Sequence, residues 1–368
     1  MVRKSYGIVV FSCLLFFTGC PETSIEERAL RTHDRVLTVD THVDTPTIFT
    51  LHDQDFDLSV RHDPYETGTK VDYPRMQDGG LDAIFFAAFV WQRERTPGGN
   101  ANAIQEAQAM LDGIHDNLER YPDMAELALT PDDAYRLEKD GKRAVFICIE
   151  NGYAIGSDLS LIEEYYNQGV RYMGLCHFSN NDICDSATDP EGPEHSGLSD
   201  FGREVVTEMN RLGMMVDVSH ISDEAFYDVL EVSTAPVIAS HSGARAIHDY
   251  PRHMNDDMLK KLAEKGGVIQ VLFMYVIEPD PEEPEKLATV ADVVDHIDHI
   301  VGVTGIDHVG IGSDFDGGGE VEGCFDVSHM KNITLELVNR GYSEEHIKKI
   351  WGGNFMRVFR EVAEFANN

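Results

Sequence analysis

Six segments of this 368-residue sequence end in side chains that bind metals or carry protons. They read Asp40-Thr41-His42-Val43-Asp44, Cys148-Ile149-Glu150-Asn151-Gly152, Leu175-Cys176-His177, Val216-Asp217-Val218-Ser219-His220, Ala239-Ser240-His241-Ser242 and Gly312-Ser313-Asp314-Phe315-Asp316. His42 and Asp44 stand two apart, so on a strand they face the same side and can ligate one ion. Imidazole nitrogen with carboxylate oxygen suits Zn²⁺, with Mn²⁺, Fe²⁺ or Co²⁺ as other occupants. Glu150 can bridge two cations, and His220 and His241 would complete a second site. Two such ions would acidify a bridging water and polarise a carbonyl, giving a nucleophile near neutral pH. One strand-end histidine is more often structural than a ligand, and His-x-Asp occurs by chance. The shared position of all six segments is what points to a two-metal hydrolytic centre.

Those segments need a scaffold that brings six strand ends together. Apolar, β-branched runs bounded by turn residues predict strands at 36–43, 81–90, 144–150, 171–177, 214–220, 236–241, 267–273 and 308–314. Several are continuously apolar, as expected of parallel strands covered on both faces. Helical patterns fall at 102–120, 159–168, 200–212, 223–232, 256–265, 290–303 and 330–340, with Ser222 and Asn255 as N-caps and Gly213, Gly266 and Gly341 as stops. Strand and helix alternating in this way predict an α/β fold, a (β/α)₈ TIM-like barrel of the metal-dependent hydrolase type whose active site lies at the C-terminal strand ends. Extra C-terminal helices at 344–350 and 354–366 are expected to pack outside it, and residues 20–368 to form a single domain.

The N-terminus reads as an export signal. Arg3 and Lys4 precede an apolar run over 8–17 that is too short to span a bilayer. Phe17-Thr18-Gly19-Cys20 follows, resembling the lipobox of bacterial lipoproteins. The leader would then be residues 1–19, with Cys20 lipidated as the first mature residue. This places the protein in the bacterial cell envelope, exported and held to a membrane by its lipid. With 65 acidic against 30 basic residues the formal charge is −35, a surface that repels nucleic acid and anionic headgroups. Attachment would rest on acyl chains alone. Beyond the leader, Cys148, Cys176, Cys184 and Cys324 do not form a disulfide framework. Cys148 and Cys176 read as buried small hydrophobes, and Cys184 and Cys324, both in loops, are open to pairing. His296 and His299 are assigned to the solvated face of an acidic amphipathic helix. His52, His62, His115, His195 and His346 are given no role.

The strand-end stretches, together with Ser240-His241-Ser242-Gly243-Ala244-Arg245 and Gly310-Ile311-Gly312-Ser313-Asp314-Phe315-Asp316-Gly317, resemble the membrane (renal) dipeptidase family of M19 metallopeptidases, in order and over nearly the whole mature chain. The resemblance implies two zinc ions per chain: His42 and Asp44 on the first, Glu150 bridging, His220 and His241 on the second. It further implies that His177 stabilises the tetrahedral intermediate, that Arg252 clamps the substrate's terminal carboxylate, and that Asp314 handles protons. Each role is physically sound: a carboxylate beside the nucleophilic water can shuttle its proton, an imidazole can donate to an oxyanion, and a guanidinium is a planar fork for a carboxylate. His253 after the arginine, Asn151 after the glutamate, and Gln270-Val271-Leu272-Phe273-Met274 depart from the family pattern and bear on side-chain preference. The implied activity is zinc-dependent hydrolysis of dipeptides with a free C-terminal carboxylate, tolerant of a D-residue there and extending to carbapenem-like amides. A homodimer is also implied. Two rivals stay open: another amidohydrolase acting on N-acyl amino acids or cyclic amides, and a non-catalytic metal- or peptide-binding lipoprotein. The former usually opens with His-x-His and a carboxylated lysine, and the latter has no need of Asp314.

Overall fold

The computed structural model describes residues 1–2, 24–52, 56–278, 283 and 286–366. Cys20 and nearly all of the expected leader lie outside the described residues. All eight expected strands form: β1 (Val39–Val43), β2 (Ala83–Phe89), β4 (Arg143–Glu150), β5 (Val170–Gly174), β6 (Met215–Asp217), β7 (Ile238–Ser242), β8 (Val268–Val271) and β9 (Val309–Ile311). A further short strand, β3 (Ala125–Leu127), pairs with the start of β4 outside the ring. The ring order is β1-β2-β4-β5-β6-β7-β8-β9, parallel throughout. Its two edges meet where Asp314 N–H donates to His42 O (3.1 Å) and Asp44 N–H to Phe315 O (2.9 Å), so the backbone that closes the barrel also carries the candidate ligands.

Alternation along the strands divides the core. Ala83, Phe85 and Ala87 of β2 and Ala144, Phe146 and Cys148 of β4 share one cluster with Tyr172, Met215 and Ile238, which fills the barrel. Phe85 stacks on Phe146 with ring centroids 4.6 Å apart, and the alanines beside them leave room for the rings. The intervening residues Ile84, Phe86, Val145 and Ile147 pack against the surrounding helices. The last helix, Asn354–Phe365, does more than pack outside the ring as expected. Its Phe355 and Phe359 reach Phe85 and Phe146 at 5.1 and 5.7 Å and enter the interior cluster.

Helix boundaries follow local chemistry. Ser222 and Asn255 cap as expected, and Gly213 stops its helix in the left-handed region at φ 74°. The helix Pro97–Arg120 starts earlier than its apolar pattern, because Thr96 caps Gly99 N–H and Pro97 occupies the first turn. Among the described residues no long helix joins β1 to β2, and the connection ends in the short helix Tyr73–Gly79. The helices Ile25–His33, Pro64–Thr67, Tyr73–Gly79 and Pro131–Lys139 lie outside the expected set. Among the described residues no helix is long and apolar enough to cross a membrane.

Two other expectations need correction. His296 is wholly buried rather than solvated, and His299 is half-buried against Asp256. Cys184 does not pair with Cys324: Cys148, Cys176, Cys184 and Cys324 are all free and buried, with Cys184 against Cys176 and Cys324 against Met330.

Candidate metal centre

The structure brings all five expected ligands together at the C-terminal rim. His42 Nε2 lies 3.4 Å from Glu150 Oε2 and 4.0 Å from Asp44 Oδ1. Glu150 Oε1 lies 3.1 Å from His220 Nε2 and 3.2 Å from His241 Nε2. Glu150 thus stands between two groups of donors, one oxygen toward each. Three overlapping clusters result: His42 with Glu150 and His241, Glu150 with His177 and His220, and His42 with Asp44 and Asp314.

Neighbouring hydrogen bonds fix how two of the histidines present themselves. His42 Nδ1 is 2.7 Å from the Tyr172 hydroxyl, which itself donates to Thr41 O at 2.8 Å. A hydroxyl has one proton, so the phenol oxygen must accept from His42 Nδ1–H, and Nε2 is left with a lone pair. His241 repeats the device. Its Nδ1 is 2.8 Å from Ser240 Oγ, and Ser240 donates to Asp217 Oδ2 at 2.6 Å. Asp217 also accepts from the Ser219 and Ser240 amides, which locks the relay. Orientation of metal-bound imidazoles by such outer partners is general.

The consequence is a buried set of unpaired lone pairs. Among the described residues His42 Nε2 and Asp44 Oδ1 have no hydrogen-bond partner, and His241 Nε2 faces His220 Nε2 at 2.9 Å. Buried acceptors converging in this way are unfavourable unless a cation lies among them. The residues therefore fit a pair of divalent ions, and nitrogen with carboxylate oxygen is a donor set that zinc accepts.

Backbone strain marks the same place. Asn151 (φ 76°), His220 (φ 69°), Asp314 (φ 64°) and Asp316 (φ 66°) all occupy the left-handed region without being glycine. Asn151 explains one departure from the family pattern: its side chain bonds Val90 O and the Tyr153 amide, fixing the turn that follows Glu150.

Electrostatics separates the carboxylates. Burial opposes the charge of Glu150, but His42 and His177 beside it, with bonds from His220 and His241, hold its carboxyl well below the usual range. Burial, with Glu150 nearby, pushes Asp44 well up. Asp314 rises to about 6, chiefly through burial, with His42 and Arg252 opposing. Burial lowers His177 to about 4, so its imidazole is neutral near pH 7. One carboxylate is thus fixed as an anion while another can exchange a proton.

These groups line a cavity of about 200 Å³ that also meets Arg252. Arg252 is buried, and its Nη2 donates to His241 O at 2.9 Å, while its Nε has no partner in the protein. Larger cavities of about 330 to 680 Å³ elsewhere contain none of the histidine ligands. The apolar part of the metal-site cavity's lining is Phe89, Trp91, Phe178 and Met274. Sequence reasoning missed these four, together with Tyr172, Asp217 and Ser240. His52, which was given no role, stands at the cavity edge. Asp217 and Ser240 left a trace, as polar residues breaking apolar strands just before a histidine; the wall residues left none.

Comparison with known proteins gives a consistent answer. The profile of the family described as membrane dipeptidase (peptidase family M19) matches residues 26–368. The chain is 39% identical over 322 residues to dipeptidase tcpJ of Claviceps purpurea, covering 85% of this chain and 74% of that protein. It is 34% identical over 347 residues to dipeptidase 3 of Mus musculus, covering 92% and 67%. The crystal structure of the probable dipeptidase PvdM from Pseudomonas aeruginosa superposes with a TM-score of 0.85 at 29% identity, over 93% of this chain and 99% of that one. Since the match runs from the N-terminal helix through every strand that supplies the rim, the chain belongs to the membrane dipeptidase family, peptidase family M19, and is a metallo-dipeptidase.

Proposed function

We propose that this protein is a zinc-dependent dipeptidase that cleaves the peptide bond of dipeptides with a free C-terminal carboxylate. The observation that supports the zinc assignment is the pair of buried, unpartnered atoms His42 Nε2 and Asp44 Oδ1 beside Glu150, with His220 Nε2 and His241 Nε2 facing each other on its other side. His42 and Asp44 would hold one ion, His220 and His241 the other, and Glu150 both. When bound, the ions supply Lewis acidity, lowering the pKa of a water and polarising a carbonyl.

The protein's own groups do the rest. Arg252 lines the cavity and binds the terminal carboxylate through charge-assisted hydrogen bonds from its guanidinium. Asp314, ionised above about pH 6, accepts the proton of the attacking water and returns it to the leaving amine. His177, neutral beside Glu150, donates to the oxygen on which charge develops. The cavity is smaller than the roughly 300–1,000 Å³ common for ligand pockets, which supports a two-residue substrate. Asp44, Asp314 and Asp316 on one side favour a free α-amine over an N-acyl group.

The family resemblance supports tolerance of a D-residue at the C-terminal position, and the Cys20 sequence supports lipid anchoring in the bacterial envelope. A panel of L,L- and L,D-dipeptides, their N-acetyl derivatives and their C-terminal amides tests the substrate class. Free dipeptides are expected to be cleaved best, the C-terminal amides slowly and the N-acetyl compounds least, and preferred cleavage of the N-acetyl compounds would overturn it. Labelling with a radioactive fatty acid tests the anchor: label lost in Cys20→Ser is expected, and no label in the wild type would end the idea.

A further inference from the structure

The helix Val290–Thr304 sends one buried polar side chain into the loops behind the active site. His296 Nδ1 lies 2.9 Å from Ala244 N, and its Nε2 lies 2.8 Å from Val276 O. A backbone amide only donates and a backbone carbonyl only accepts, so these partners define the ring: Nδ1 accepts, Nε2 carries the proton, and the imidazole is neutral. Burial, which lowers its pKa, acts in the same direction.

The two partners belong to the two segments that reach the cavity from this side. Ala244 opens the loop after β7 and bridges to Met254, with Met254 N donating to Gly243 O at 2.9 Å, and Arg252 sits two residues before that bridge. Val276 follows β8 by five residues and stands two past Met274 of the cavity wall. The segments also touch directly, His248 Nδ1 bonding Tyr275 O at 2.6 Å and Tyr250 stacking on Tyr275 at 4.2 Å. His253 completes the packing, its ring edge-on to His296 at 5.5 Å and close against Gly243, where an added Cβ would lie 2.8 Å from His253 Nε2. The loop that carries the carboxylate-binding arginine is therefore fastened to the Met274 segment by direct contacts through His248 and Tyr250 and, from the helix side, by His296, which bonds both.

We infer that His296 is a positioning residue for substrate recognition, fixing the Arg252 segment against the Met274 segment so that the guanidinium meets the substrate's carboxylate. This rests on the proposed dipeptidase activity. His296 touches neither substrate nor the ligand residues, so its effect falls on binding of the carboxylate and not on the chemical step.

Two substitutions separate its two bonds. His296→Gln can still reach Val276 O but loses the acceptor for Ala244 N–H, whereas His296→Asn keeps an acceptor near Ala244 and loses Val276. The experiment measures KM, kcat and metal content for each variant on a dipeptide and on its C-terminal amide. His296→Gln is expected to raise KM for the free acid about tenfold with kcat within about twofold, and His296→Asn to raise it about threefold. Metal content should match the wild type, and kcat/KM for the amide should change by less than about twofold, since the amide offers Arg252 no carboxylate. Equal losses on acid and amide in either variant, or a fall in kcat at unchanged KM, would overturn the positioning role, and each variant alone suffices if the other does not fold. A wild-type enzyme unable to cleave the free dipeptide would instead defeat the underlying activity, and the inference with it.

Discussion

Tyr172 holds His42 by a 2.7 Å hydrogen bond to Nδ1, and its own proton is committed to Thr41 O. The phenol therefore acts on the metal site through tautomer and orientation. Tyr172→Phe keeps the ring that stacks near Phe85 while removing the acceptor. Metal affinity at this site should fall by roughly 10- to 100-fold, read by competition with a chelating dye. Unchanged affinity would show that the phenol is only packing.

Arg252 is free to recognise a ligand, because its guanidinium donates to His241 O and its Nε has no hydrogen-bond partner among the described residues. Arg252→Ala should raise KM for dipeptides by about 10- to 100-fold, as expected for losing a charge-assisted pair, with metal content unaltered. An unchanged KM would remove it from recognition.

On the proposed mechanism Asp314 sets the acidic limb of the pH profile. With burial raising its carboxyl to about 6, the base form prevails above that value, so kcat/KM should decline as pH falls through 6. Bound cations beside it move this limb lower. Asp314→Asn should reduce kcat by roughly 10²- to 10⁴-fold and abolish the limb. A variant that keeps the limb would assign it to another group.

Much of this was legible in the sequence for a physical reason. Strands β2 and β4 are buried on both faces, so they read as long apolar runs, and the ligands sit where those runs stop. β3 is three residues long and gives no periodic signal. His296 was misassigned because acidic residues surround it, although it lies three after Val293 and four before Ile300, both buried. The spacing was correct evidence and the polarity misled. Trp91, Phe178 and Met274 lie in connections beyond the strands, where no period relates position to direction, so the cavity wall emerged only in three dimensions.

Stability should also depend on pH, through a histidine far from the metals. His33 joins the N-terminal helix to Thr334 (2.7 Å) and Gly79 O (2.9 Å) and meets Trp351 edge-on. Burial lowers its pKa from 6.5 to about 4, so the unfolded chain binds a proton before the folded one does. The stabilisation is complete above pH 6.5 and is lost as pH falls toward 4, a change of about 3 kcal/mol from this group. His33→Gln should be less stable at pH 7 and lose less on acidification, as measured by urea midpoints. Parallel pH dependence in both proteins would contradict this.

The central claim is that His42, Asp44, Glu150, His220 and His241 form a two-zinc centre on which dipeptide hydrolysis depends. The most direct measurement is a titration of chelator-treated protein with Zn²⁺, following bound metal by elemental analysis and turnover of a dipeptide together. Metal-free protein is expected to show no turnover, with recovery that saturates at two ions per chain. Full turnover by protein shown to contain no metal would contradict it.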